Sequence, residues 1–208
     1  MQDQIKLSIP ASHILAASLF VADKGIREYL KHVYVLPYGV VGSNGHALLF
    51  AKPKNGVPYA AEFAIPPSAI KTIEAALKNL GKSGRRDINV DFTLHLLADG
   101  TVPTAQMEIA GTTMAYSPLA MKYPNALSII NAEHPEDVAA NYNWSYFVKM
   151  QKASEFFLPA TRSKDKDKDK DKDKTPNSIK VIQRGAGPAI IIFRDAENVR
   201  GLVMPVTY

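Results

Sequence analysis

Three helix-forming segments, each trailed by short extended runs broken at turn residues, organise the 208-residue chain. A helix followed by strands, repeated, cannot bury itself as a bundle. The pattern reads as an α+β chain. The helices begin near residues 12, 67 and 144. Their spacings of 55 and 77 residues are a weak repeat signal, a unit of roughly sixty residues.

Local chemistry places the elements. Ser12 is read as the cap of a first helix carrying Ile14, Leu15, Leu19 and Phe20. Gly25 ends it, and Glu28 to Leu36 reads as a strand rich in Tyr, Val and Leu. After Pro37-Tyr38-Gly39, Val40 and Val41 continue extended, and Asn44-Gly45 is a tight hairpin signal. His46 to Ala51 returns, and Tyr59 to Ile65 follows a second Asn-Gly turn. Pro66 and Pro67 open the second helix, whose Ile70, Ile73, Leu77 and Leu80 form a stripe closed by Gly81. Strands are expected at about 88–97, 105–110 and 112–116. A third helix is expected from Asn143 or Trp144 to Phe157, and strands at about 179–183, 189–193 and 201–206.

The formal charge of +5 contains a strict Lys-Asp alternation, Lys164 to Lys174, which contributes only one unit. Its i,i+4 pairs are like-charged and it offers nothing to bury, so a solvated loop at 163–177 is expected. The remaining excess permits nucleic-acid contact without demanding it. Zero cysteines exclude disulfides and thiolate metal sites and fit a reducing compartment. No secretory signal and no apolar run of about 20 residues is read, so a cytoplasmic protein without a membrane partner is expected.

Five motifs, in order, resemble the bacterial DNA polymerase III β sliding clamp family. Arg27-Glu28-Tyr29-Leu30 is similar to its basic-aromatic strand, and Ser43-Asn44-Gly45-His46-Ala47-Leu48 to its Thr-Asp-Gly-His-Arg-Leu hairpin. Tyr123-Pro124-Asn125 resembles its aromatic-Pro-Asp/Asn loop, and Tyr142-Asn143-Trp144-Ser145-Tyr146 its last helix start. Val203-Met204-Pro205-Val206-Thr207-Tyr208 is similar to the family's terminal Val-Met-Pro-Met-Arg-Leu. The resemblance implies a DNA-clamp fold of about three helix-plus-strands half-domain units, with helices on one face of antiparallel sheets: a complete clamp-like domain over 1–131 and half of one over 132–208. The family's first domain has no counterpart, so the chain looks like a compact, phage-like or mobile-element version.

Carried over position by position, the family's peptide pocket would use Leu30, Ser43, Gly45, His46, Leu48, Pro124, Ile129, Met204, Pro205 and Val206. Apolar Leu, Ile, Met and Pro around a cleft suit the anchors of an extended peptide. The family's basic hairpin and terminal residues are replaced by Ala47 and Thr207. Other readings stand beside this one. Leu30, Leu48 and Ile129 suit any sheet core, Asn44-Gly45 suits any hairpin, and a lone His46 suits a structural role.

The resemblance also implies helices lining a ring around DNA. The candidate DNA-facing residues are Lys24, Lys71, Lys78, Lys82, Arg85, Arg86, Lys149 and Lys152. The family's basic pair after Ile-Pro is Pro67-Ser68 here, and Glu74 and Glu155 share the helices. A family ring holds twelve half-domain units and this chain supplies three. A homo-oligomer (dimer or tetramer) is therefore expected, with Phe147, Val148 and Phe156 exposed for a second copy.

Catalytic patterns are absent. His134-Pro135-Glu136-Asp137 lacks zinc-helix spacing, and Gly185-Ala186-Gly187-Pro188 has no following helix to hold a phosphate. No enzyme, cofactor or metal is expected. The leading expectation is a processivity factor that tethers a DNA polymerase, or other proteins carrying clamp-binding peptides, to duplex DNA. The alternative is a clamp mimic or adaptor that binds such peptides without encircling DNA.

Overall fold

The computed structural model describes residues 3–25, 27–80, 88–131, 140–157, 179–183, 185–194 and 196–206. Lys82, Arg85, Arg86, the His134–Asp137 stretch, the Lys-Asp run and Thr207-Tyr208 lie outside the described residues.

The architecture is α+β with antiparallel sheets. Strand β1 (Asp3–Pro10) leads directly into helix α1 (Ala11–Ser18), and β2 (Val33–Leu36), β3 (Gly39–Ser43), β4 (Ala47–Ala51) and β5 (Phe63–Ile65) follow. Helix α2 (Pro67–Lys78) precedes β6 (Asn89–Leu96), β7 (Thr104–Ile109) and β8 (Thr112–Tyr116), and a short α3 spans Ala126–Asn131. Then come β9 (Asn141–Tyr142), α4 (Trp144–Ser154), β10 (Ile179–Ile182), β11 (Ala189–Phe193), β12 (Ala196–Val203) and β13 (Pro205–Val206).

Four strands form a sheet in the order β1-β6-β7-β8, and seven form another in the order β10-β11-β12-β4-β3-β2-β5. The join in the larger sheet is β12 against β4, which sets Leu202 opposite Leu48 and Arg200 opposite Phe50. Side chains alternate across a strand, so this sheet has two apolar faces. Val33, Val35, Val40, Leu49 and Val199 join the core under α1, α2 and α4. Tyr34, Leu36, Val41, Leu48, Phe50, Ile190 and Leu202 form a second cluster on the other face, partly covered by Leu119, Tyr123 and α3. Burying a side chain such as Phe50 contributes roughly 2–3 kcal/mol.

Two glycines set how closely helices approach. A Cβ on Gly42 would collide with the Ala17 carbonyl of α1, and one on Gly201 would collide with the Met150 thioether of α4. Both helices therefore seat directly on strand backbone.

Several expectations need correction. Ser12 lies inside α1, whose cap position is Pro10 with no side-chain bond. The chain arrives from β1 already in register with β6, so no polar cap is needed to start the helix. Residues Glu28–Lys31 form a 3₁₀ turn instead of strand. Lys31 bonds Glu28 at 2.7 Å, and the His32 ring bonds the Glu28 carbonyl at 3.1 Å, closing the turn. Leu80 lies past the end of α2 and is exposed. Phe147 is buried and Phe156 packs against the chain's own core, because α4 rests on α1 and β12. Of that expected face only Val148, 57% exposed, remains open, beside Trp144 at 75%. No described helix is long and apolar enough to cross a membrane.

Candidate functional site

The β3–β4 turn is built by its polar side chains. Asn44 Oδ1 accepts from the backbone N–H groups of His46 and Ala47, both at 2.9 Å. Ser43 Oγ donates to the Ala47 carbonyl at 2.9 Å and accepts from the Gly45 N–H at 3.0 Å. Gly45 has φ +88°, a left-handed conformation that glycine adopts freely. The Asn44 N–H donates to the Ala47 carbonyl, so the turn centres on Gly45-His46, one residue beyond the expected Asn44-Gly45. Asn44 serves as its brace.

Opposite this hairpin stands the Tyr123-Pro124-Asn125 loop. The Tyr123 ring lies 4.8 Å from Tyr34 and 6.0 Å, edge-on, from Tyr29. A hydrogen bond links its hydroxyl with Ser43, while burial pushes its pKa well above the ordinary tyrosine value. Tyr34 is raised to about 12 by burial and then by Glu62. The Tyr34 and Tyr123 hydroxyls are therefore neutral at physiological pH. Asn125 Oδ1 accepts from the Ser128 N–H at 3.3 Å, capping α3 and fixing where its side chains fall.

These elements enclose a pocket of about 220 Å³. Leu48 and Leu202 lie side by side in its floor, and Leu30, Pro124, Ile129 and Met204 add apolar wall. Ser43 and Gly45 bring the hairpin to its lining. Seven of the ten positions expected from the sequence thus converge from four segments far apart in the chain.

The other three lie elsewhere. His46 is exposed and stacks on Tyr146, 6.3 Å between centroids, while its carbonyl accepts from Met204 N–H at 2.7 Å. Pro205 and Val206 form β13, which pairs with Tyr142 and Asn141. The structure adds Arg27, Tyr29, Ala47, Tyr123, Ala126 and Leu202 to the lining. Arg27 supplies a cation from the turn before Tyr29, although the hairpin position itself is Ala47.

Lys24, Lys71, Lys78 and Lys152 are exposed and Lys149 is half-exposed. Lys71 and Lys78 ride on α2, and Lys149 and Lys152 on α4, so these four belong to the helical side, across the larger sheet from the pocket. Among the described residues no group of three or more His, Asp or Glu is placed to hold a metal.

The architecture as a whole has solved counterparts. The β subunit of DNA polymerase III from Borrelia burgdorferi, in complex with a natural product, superposes with a TM-score of 0.64 at 16% identity. The match covers 100% of this chain and 64% of that one. The fold is that of the bacterial DNA sliding clamps.

The ligand-bound clamp of Pseudomonas aeruginosa is similar with a TM-score of 0.64 at 12% identity, covering 98% of this chain and 66% of that one. The griselimycin-bound clamp of Bartonella birtlesii gives 0.59 at 13%, covering 99% and 66%. The chain thus spans about two thirds of the length of these clamps. No protein-family model matches the sequence, and neither does any curated protein.

Proposed function

We propose that the protein is a clamp-like processivity factor, non-enzymatic, that holds a DNA polymerase or another protein through an extended peptide seated in the 220 Å³ pocket. One observation carries this reading. Leu30, Leu48, Pro124, Ile129 and Met204, from four distant segments, converge on a single apolar cleft beside the hydrogen-bonded turn residues Ser43 and Gly45. Apolar walls accept side-chain anchors, and Arg27 offers a charge to a peptide carboxylate or carbonyl.

Duplex DNA would lie against the helical side, attracted through Lys24, Lys71, Lys78, Lys149 and Lys152, without base readout and with steep salt dependence. In this reading 1–131 acts as a complete clamp domain and 132–208 as half of one. Copies of the chain then complete a ring as a dimer or tetramer, using the exposed Trp144 and Val148 of α4. The adaptor reading has its own support: Pro67 and Ser68, exposed at the start of α2, put no charge where clamps carry a basic pair.

Retention on nicked circular DNA, measured before and after linearisation, separates the two. Loss on linearisation supports a topological clamp. Peptide binding without retention on the circle leaves the adaptor. A stable monomer by light scattering at micromolar concentration removes ring assembly. Griselimycin, which the Bartonella clamp binds, serves as a pocket probe, and Leu30→Ala with Met204→Ala should abolish any such binding.

A further inference from the structure

Helix α3 is a partition. Ala126 and Ile129 line the pocket just described, whereas Leu127, Ile130 and Asn131 line a second and larger concavity of about 780 Å³. Residues three apart share a helix side and adjacent ones do not, so a six-residue helix serves two cavities on one sheet face.

The second concavity combines two chemistries. Its floor is apolar: Phe50 and Ile190 of the sheet, with Tyr38, whose ring lies 5.8 Å from Phe50. Tyr38 is also bonded to the Ala126 backbone, tying the β2–β3 turn to α3. Its rim is cationic, with Lys52, Lys54 and Arg200, and no carboxylate among the described residues lines it. The cations are set by the fold. Arg200 is directly opposite Phe50 in the β12–β4 register, and its Nη1 donates to the Glu197 and Val199 carbonyls at 2.8 and 2.9 Å. Neither bond uses the Nη2 or Nε hydrogens. Lys52 is held by its backbone: its N–H donates to the Asn198 carbonyl at 2.8 Å, and the Asn198 amide donates back at 2.9 Å.

The geometry points to a docking site for an acidic peptide segment of a partner protein, with an aromatic or branched apolar residue on the Phe50–Ile190 floor and flanking carboxylates on Lys52, Lys54 and Arg200. A planar guanidinium and two ammonium groups suit carboxylates. A bare phosphate would leave the apolar floor unused, and a duplex is too wide to enter a concavity of this size. This site shares no lining residue with the Met204 pocket, so a ligand seated here is separable from the peptide proposed there.

The test titrates the ¹⁵N-labelled full chain with the synthetic peptide acetyl-Asp-Glu-Phe-Leu-Asp-Glu-amide. Amide shifts are expected at Tyr38, Lys52, Ile130 and Arg200, and affinity should fall as salt rises. The Asn/Gln analogue, and the variant Lys52→Ala with Arg200→Ala, should each bind about tenfold more weakly or worse. Met204→Ala should bind as the parent does. The assignment is overturned if the acidic peptide leaves the spectrum unchanged at millimolar concentration. It is overturned equally if the neutral analogue binds as well, if shifts centre on Leu30 and Met204, or if a single-stranded oligonucleotide displaces the peptide from the same residues.

Discussion

The backbone N–H of Met204 donates to the carbonyl of His46 at 2.7 Å, fastening the residue after β12 to the turn of the β3–β4 hairpin. That bond gives Met204 two separable roles. Met204→Ala keeps the bond and removes wall, so stability should change by no more than about 1 kcal/mol while a pocket-bound peptide loses about tenfold in affinity. Met204→Pro deletes the donor and should cost a further ~1–3 kcal/mol. Urea unfolding and peptide titration of both variants read the two effects apart.

Gly42 and Gly201 make a graded pair. The would-be Cβ at Gly42 meets the Ala17 carbonyl, which is backbone, whereas at Gly201 it meets the end of the Met150 side chain. Gly42→Ala should destabilise by more than about 3 kcal/mol or prevent folding, whereas Gly201→Ala should cost about 1–3 kcal/mol as Met150 shifts. Equal thermal midpoints for the two variants would contradict the close helix seating.

His13 gives the protein an acid sensitivity. The Asn198 Nδ2 group donates to the Lys52 carbonyl at 2.9 Å and to His13 Nε2 at 3.3 Å, which puts the imidazole proton on Nδ1. That atom is buried without a partner among the described residues. Burial, and then Lys54, lowers the His13 pKa from 6.5 to about 4. Between those values the unfolded chain takes up a proton that the folded chain refuses. Stability is therefore full above pH 6.5 and falls as pH drops toward 4, by about 2–3 kcal/mol. Urea midpoints at pH 7 and 4.5 should show this loss in the parent and lack it in His13→Leu.

The β7–β8 hairpin carries a removable strain. Ala110 has φ +49° and Gly111 φ +77° in a two-residue loop between the paired Ile109 and Thr112. Alanine in this region is disfavoured, and asparagine tolerates it. Ala110→Asn should raise stability by about 0.5–1 kcal/mol without touching either cavity, as a shift in thermal midpoint reads directly.

Legibility of the sequence followed the length over which a signal was sustained. Helices α2 and α4 are readable because an apolar stripe runs for three turns; the cap of α4, where Asn143 Oδ1 accepts from the Ser145 N–H at 3.0 Å, is a detail the structure adds. Strand β1 carries a clean alternation of Ile5, Leu7 and Ile9, which a repeat counted from helix starts does not include. The turn at 28–31 defeated β propensity through two local bonds to Glu28. Helix α3 is too short for any period to show, and its Asn125 cap has meaning only once the loop is placed. In the pocket, hairpin and tail residues were readable as motifs. Arg27 depended on the 3₁₀ turn, and Leu202 on a register that pairs it with Leu48. Such pairing leaves no mark in either segment alone.

The β12–β4 ladder has a consequence for the order of events during synthesis. Both cavities are lined by residues on its two strands, Leu48 and Phe50 from one, Leu202 and Arg200 from the other. These partners are separated by about 150 residues of chain, so neither cavity exists on a nascent polypeptide until translation has passed residue 204 and the loop has closed. A ligand that needs either cavity would therefore meet only molecules in which β12 has paired with β4. A chain stalled on the ribosome would present the bare outer surface of β2, β3 and β4 (Leu36, Val41, Leu48, Phe50) to chaperones instead.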